Sequence, residues 1–166
     1  MEKIANDPYL PPPLGCLKDQ KVWVGMEVGS TGKKLPINPF TGGLASCSNS
    51  NTWATFTEAK KVFQADASSK YRPQYLGLVL LKEMRLFAVD MDNVRDPATG
   101  ALDPLAVEII DQLNSYTEIS QSGRGVHIYG WGTKTTKACR RENMEVYDSS
   151  RIMTITNNPL GEVRPL

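Results

Sequence analysis

The sequence predicts an α+β fold in which helices pack on a mixed or antiparallel sheet. Three observations lead there. Short alternating runs rich in β-branched residues recur along the chain. Two stretches carry apolar residues at helical spacing behind a capping signal. Several joining segments are short enough for hairpins. The 166 residues suit one domain, or one core with a smaller lobe, and bury a core without disulfide or metal staples. Hydrophobic residues make up 40% and charged residues 22%, a globular balance rather than a disordered one.

The elements follow in chain order. Residues 1 to about 15 contain Pro11-Pro12-Pro13 and read as an irregular leader on the surface. Residues 22–28 alternate as a first strand. Gly29, Gly32, Pro36, Pro39, Gly42 and Gly43 then mark a long irregular loop carrying Lys33 and Lys34. Such loops are uncommon in compact domains and often functional. Thr55-Phe56-Thr57-Glu58 has the form of a capping box, and Ala59, Val62 and Phe63 continue at helical spacing. Together they predict a helix over about 56–66. Trp53 and Phe56, at its start, read as core residues rather than base-stacking platforms. Residues 75–81 and 86–92 read as two strands, with 82–85 as a hairpin turn. Asp103-Pro104 reads as a helix N-cap and first helical residue, with Leu105, Ile109, Ile110 and Leu113 as the apolar face. Residues 117–120, 126–131, 144–147 and 152–156 complete the strands. Neither internal repeats nor low-complexity tracts appear.

Several function classes are excluded. No apolar run approaches the roughly 18 residues of a membrane span. The N-terminal residues lack an apolar signal core, so a reducing cytoplasm is expected. Cys16, Cys47 and Cys139 are widely spaced and form no CxxC, which removes a zinc ribbon and a disulfide framework. The one histidine removes HEXXH chemistry and any site needing two histidines on one strand. A net charge of +1 neither announces nor forbids a nucleic-acid partner. Metal carboxylates and phosphate-binding cations cancel in such a sum, and the cations are then expected on one face.

Three segments carry chemistry. In Val89-Asp90-Met91-Asp92 the two acids are one residue apart on a strand, so both point to one face with α-carbons roughly 6–7 Å apart. A divalent cation relieves their repulsion, and oxygen ligands suit Mg²⁺. The plain alternative is a strand end entering a solvated loop. In Ser122-Gly123-Arg124-Gly125-Val126-His127, the glycines allow close backbone approach to a ligand, and Ser122 and Arg124 offer phosphate donors. His127 shares a strand face with Tyr129 and Trp131 and suits phosphate binding or proton transfer. Here the alternative is a hairpin turn followed by a core histidine. In the third segment Glu145 alternates with Met144 and Val146 and lies mid-strand, where it can be held rigidly. Asp148 at the strand end is the runner-up for a third metal carboxylate. Arg140, Arg141 and Arg151 nearby, and Lys33 and Lys34 earlier, are phosphate contacts or solvated charges.

Taken in order, these segments resemble the primase-polymerase (prim-pol) domain of the archaeo-eukaryotic primase superfamily, in its phage and plasmid replication branch. An apolar strand ends in Asp90 and Asp92, a glycine-rich entry leads to His127, and a single acid, Glu145, sits in a later apolar strand. Lys34-Leu35-Pro36-Ile37-Asn38-Pro39-Phe40-Thr41-Gly42, Thr52-Trp53-Ala54-Thr55-Phe56 and Tyr147-Asp148-Ser149-Ser150-Arg151 fit the same branch. The resemblance spans about Trp23 to Thr156. It departs at Gly125, where relatives often carry serine, and at Ile152, where they often carry an aromatic.

The resemblance implies an RRM-like, mostly antiparallel catalytic sheet over about 81–160. It adds a small N-terminal α/β lobe over about 21–80, behind a leader of about 20 residues. It implies a nucleotidyltransferase, a DNA primase or polymerase in a phage-infected, bacterial or archaeal cell. Such an enzyme uses Mg²⁺ or Mn²⁺, nucleoside triphosphates, and a single-stranded DNA template with its primer. A helicase region or protein is a further expected partner. Asp90, Asp92 and Glu145 would hold metal. Ser122, Gly123, Arg124 and His127 would hold the triphosphate, with Lys34 and Arg151 assisting. Two other functions fit the same residues: a replication module that binds nucleotide or DNA without catalysis, and a metal-dependent phosphodiesterase.

Overall fold

A computed structural model describes residues 9–64, 69–135 and 137–166. The described residues hold nine strands: β1 (Trp23–Val28), β2 (Lys34–Ile37), β3 (Tyr75–Leu80), β4 (Leu86–Met91), β5 (Thr117–Ile119), β6 (Val126–Trp131), β7 (Arg140–Arg141), β8 (Met144–Tyr147) and β9 (Arg151–Ile155). Two α-helices join them, α1 (Phe56–Ala59) and α2 (Pro104–Leu113). The α+β expectation is met. The chain forms two compact units, one running up to Val79 with Ile152–Asn157, the other Leu80–Arg151 with Asn158–Leu166.

The first unit is a sheet in the order β2-β1-β3-β9, with β1 antiparallel to both β2 and β3. Two expectations fail in this unit. The leader is not an irregular surface segment throughout: Pro12–Leu17 is a 3-10 helix with Leu14 and Leu17 buried. Trp23 ties it down, its indole Nε1 donating to the Leu17 carbonyl at 2.8 Å. Residues 1–8 of the leader lie outside the described residues. Likewise the long glycine-proline loop is interrupted by β2, with Pro36 opposite Met26. Proline fits because β2 is the edge strand of this sheet, its outer side carrying only an isolated bridge from Ile37 to Leu44, where the Pro36 carbonyl accepts from Ala45 N–H at 2.8 Å.

The capping box at Thr55 is present, with Glu58 N–H bonded to the Thr55 hydroxyl and the Glu58 carboxylate accepting from Thr55 N–H. The helix it starts is α-helical for only four residues and continues as a 3-10 helix over Lys60–Gln64. The expected residues 65 and 66 lie outside the described residues.

The second unit is a sheet in the order β5-β6-β4-β8-β7 whose neighbours all pair antiparallel. The expected β3–β4 hairpin does not form, because the two strands belong to different sheets. A 3-10 turn at Lys82–Met84 and left-handed Arg85 (φ 53°) redirect the chain instead. Helix α2 then carries the chain from β4 over β6 to β5. Asp103 caps α2 as expected, its carboxylate accepting from Leu105 N–H at 2.9 Å, with Pro104 next.

The apolar face of α2 is narrower than its sequence pattern. Ala106 and Ile110 are buried with Ile109 packed beside them, while Leu105 and Leu113 are 56% and 37% exposed. The buried pair is four residues apart, one turn along a single stripe. Leu105 sits off that stripe in the first turn, and Leu113 is the last helical residue. The stripe packs on Val89 and Met91 of β4 and Val126 and Ile128 of β6, with Met144 and Val146 partly buried alongside. Strand alternation turns their neighbours to the other face: Asp90, His127, Tyr129, Glu145 and Tyr147. No helix among the described residues is long and apolar enough to cross a membrane.

Candidate active site on the second sheet

The strand register builds the site. Glu118 of β5 is opposite His127 of β6, His127 is opposite Asp90 of β4, Asp90 is opposite Glu145 of β8, and Glu145 is opposite Arg140 of β7. One ionisable residue from each strand therefore stands in a single row across the sheet. Residues directly opposed on antiparallel strands share a face, with Cβ atoms about 4.5–5.5 Å apart. Glu118 and His127 are fully buried and Asp90 is 5% exposed. Buried ionisable groups are tolerated only when paired and hydrogen-bonded, so the partners of each decide the chemistry.

At the β5 end, Glu118 accepts from the Tyr116 hydroxyl at 3.1 Å and the Tyr129 hydroxyl at 3.4 Å. The two tyrosine rings stack with centroids 6.0 Å apart. Burial first, and the Glu118 charge second, hold the Tyr129 phenol well above its ordinary pKa, so it remains a hydrogen-bond donor. His127 places Nδ1 3.4 Å from the Glu118 carboxylate and Nε2 3.6 Å from Asp90 Oδ1. Nε2 is buried without a hydrogen bond.

At the β8 end, Glu145 accepts from the Tyr147 hydroxyl at 2.8 Å and pairs with Arg151 and Arg140, each at 3.5 Å. The Arg151 guanidinium lies 4.5 Å over the Tyr147 ring, a cation–π contact that fixes its direction. Burial and the hydrogen bond to Glu145 push the Tyr147 phenol up from its ordinary value.

The other expected residues are placed as follows. Strand β4 ends at Met91, so Asp92 lies exposed in the following turn, its N–H donating to the Asn143 carbonyl at 2.8 Å. Strand alternation thus stops deciding its direction one residue short. Ser122, Gly123 and Arg124 form the β5–β6 turn. The Ser122 hydroxyl meets Ser120 Oγ at 3.1 Å and the Arg124 N–H at 3.2 Å, and Arg95 donates to the Gly123 carbonyl at 2.9 Å. The Arg124 side chain is exposed. Lys34 opens β2 in the first unit. Asp148 is buried and accepts from Lys82 Nζ, Lys134 N–H and the Ser149 hydroxyl. Burial pushes its carboxyl up, but these donors outweigh burial and hold it below the ordinary range.

Asp90, Asp92 and Glu145 supply hard oxygen donors, the set that suits Mg²⁺ or Mn²⁺. Asp90 and Glu145 stand on adjacent strands facing one way. Among the described residues no three His, Cys, Asp or Glu side chains converge as a metal-holding group, and Glu145 is engaged by two arginines. The donor chemistry fits a cation, but the three carboxylates are not gathered: Asp92 lies in the turn after β4 and Glu145 is paired with Arg140 and Arg151. A groove of about 550 Å³ lies on the opposite, helix-bearing face, lined by Phe87, Val89, Ile109, Leu113, Met144 and Val146, and takes no part in this row.

Sequence reasoning missed Glu118. Its signal was present: a lone acid inside a predicted strand, directly after Tyr116 and Thr117. Pairing it with His127 needed the β5–β6 register.

Fold and site define an α+β protein with a carboxylate–imidazole–carboxylate row across an antiparallel sheet. The chain is 34% identical over 136 residues to a protein named DNA primase-polymerase from Nitratiruptor phage NrS-1. The alignment covers 78% of this chain and 18% of that protein, so the chain corresponds to a small part of its relative. This likeness supports a primase-polymerase-like relationship. No protein-family model matches the chain.

Proposed function

We propose that this chain is the catalytic part of a DNA primase-polymerase, acting during replication of a phage, plasmid or other mobile element. The carrying observation is the pairing of Asp90 with Glu145 across β4 and β8, with His127 on the third strand, in a chain similar to a phage primase-polymerase. On this reading the second sheet is the RRM-like catalytic part. The reaction joins a primer 3′-hydroxyl oxygen to the α-phosphorus of a nucleoside triphosphate. Pyrophosphate leaves, and the hydroxyl proton passes to solvent. Asp90, Asp92 and Glu145 hold Mg²⁺ or Mn²⁺, which when bound lowers the pKa of the attacking hydroxyl and stabilises charge on the leaving group. His127, the 122–124 turn and Arg151 orient the triphosphate. Arg151 and Arg140, paired with Glu145 here, would take phosphate oxygens instead if Glu145 held metal, an exchange of one anionic partner for another. Catalysis is then positioning plus electrostatics.

The pairing of Glu145 with two arginines favours a second reading, a nucleotide- or DNA-binding replication module without catalysis. Primer extension on single-stranded DNA with Mn²⁺ or Mg²⁺ separates the two. Wild type extends the primer, and Asp90→Ala or Asp92→Ala lowers extension by about 100-fold or more, the scale of losing a charge-stabilising group. Circular dichroism checks that the variants fold. Near-normal extension by either variant rejects the metal assignment. Metal-dependent nucleotide binding without incorporation supports the module, and release of nucleotides from DNA without extension marks a phosphodiesterase.

A further inference from the structure

We propose that Glu118 is a positioning residue: its buried carboxylate, braced by two tyrosine hydroxyls, accepts a hydrogen bond from the Nδ1–H of His127 and so fixes the ring with Nε2 toward Asp90. The proposal deepens the primase-polymerase reading, because the value of a fixed Nε2 rests on His127 belonging to the nucleotide site.

The geometry is specific. Glu118 is fully buried and stands directly opposite His127 in the β5–β6 register, so the two side chains share the buried face. Its Oε2 accepts from Tyr116 and its Oε1 from Tyr129, which holds the carboxylate plane from two directions. Oε1 also lies 3.4 Å from His127 Nδ1. The His127 ring makes an edge-on contact with Tyr129, centroids 6.4 Å apart and planes 80° apart, which resists a ring flip. The far nitrogen, Nε2, has no hydrogen bond and faces Asp90 Oδ1 at 3.6 Å. A carboxylate accepts, so the ring nitrogen within hydrogen-bond distance of Glu118 is the one that carries hydrogen. Nε2, 3.6 Å from Asp90, is beyond that distance and does not fix the ring. This is the logic by which a carboxylate behind a functional histidine sets its tautomer and direction.

His127 is the sole histidine of the chain, so ¹⁵N-edited NMR of the imidazole reports this ring alone. The first measurement is made on the full chain without nucleotide. Wherever the ring carries one proton, it is expected on Nδ1 in wild type. Glu118→Gln, whose amide oxygen still accepts, is expected to keep that tautomer. Glu118→Ala is expected to lose it in favour of the Nε2–H form. Wild type in the Nε2–H form overturns the proposal, and so does an alanine variant that retains Nδ1–H. Should the alanine variant fail to fold, the wild-type and glutamine spectra still decide.

The second measurement is binding of a nucleoside triphosphate with Mn²⁺. Without the Glu118 brace the ring is free to turn, so alanine is expected to weaken it about 10- to 100-fold through lost orientation, and glutamine, which still accepts from Nδ1–H, to restore most of the loss. Equal losses for glutamine and alanine overturn the positioning role. If the primase-polymerase reading itself fails, primer extension is absent in wild type while the Nδ1–H result stands, so the two failures are distinguishable.

Discussion

Asp148 shows how partners rather than residue type decide a role. It is an acid beside the predicted third motif, and the structure surrounds it with Lys82, the Lys134 N–H and Ser149. Those donors hold its carboxyl below the ordinary range against the opposing effect of burial. A carboxyl depressed on folding contributes stability above its unfolded pKa of about 3.9, and that contribution is lost as pH falls through the folded value. Asp148→Asn should therefore lower stability at pH 7 by about 1–2 kcal/mol, a figure moderated by the exposure of Lys82. The difference from wild type should close as pH is lowered from about 5. Urea midpoints measured for both proteins between pH 7 and pH 3 check this; a gap that stays constant over that range sinks it. Glu145 is surrounded differently, by Arg140 and Arg151 and the Tyr147 hydroxyl; on the proposed function phosphate would claim the two arginines.

Elements place those residues, and two of them depend on a single position. Helix α2 leans on the Asp103 cap. Asp103→Ala should cost about 1 kcal/mol and Asp103→Asn much less, since asparagine still accepts from the first-turn N–H. Thermal melts of the two variants provide the comparison. At the β5–β6 turn, a Cβ on Gly125 would come 2.4 Å from the Met91 carbonyl oxygen and 3.2 Å from Ser120 Oγ. The first of these is backbone of the pairing strand, which cannot swing aside. Gly125→Ala should destabilise by about 1–3 kcal/mol, the usual cost of overpacking. It should also weaken activity, because Met91 follows Asp90 and pairs next to His127. Gly15→Ala, whose Cβ meets nothing within 4 Å, is the control and should stay within about 0.5 kcal/mol. The glycine that sequence reasoning assigned to ligand approach is thus needed first for strand approach.

For the molecule as a whole, ligand linkage ties the site to stability. A cation bound only by the folded chain stabilises it by about 2.7 kcal/mol at 100 times its dissociation constant. On the proposed function, Mn²⁺ should raise the unfolding temperature of wild type and leave Asp90→Ala unmoved; equal shifts in both would place the metal elsewhere. Nucleoside triphosphate added with Mn²⁺ should raise it further, because on that reading phosphate would draw the two arginines from Glu145 and free its carboxylate for the cation.

Local signals in the sequence determined much of this protein: both helix caps, the strands around Asp90, His127 and Glu145, and the two-residue alternation that segregates them from Val89, Val126 and Val146. These are effects of neighbours in the chain, where hydrogen-bond spacing and side-chain period are set within a few residues. Tertiary structure alone decided which strands pair. It separated β3 from β4 despite their hairpin spacing, turned Pro36 into an edge-strand residue, and brought Glu118, His127, Asp90, Glu145 and Arg140 into one row. The physical reason is that register joins residues distant in the chain, and a shift of one position would turn each of them to the opposite face.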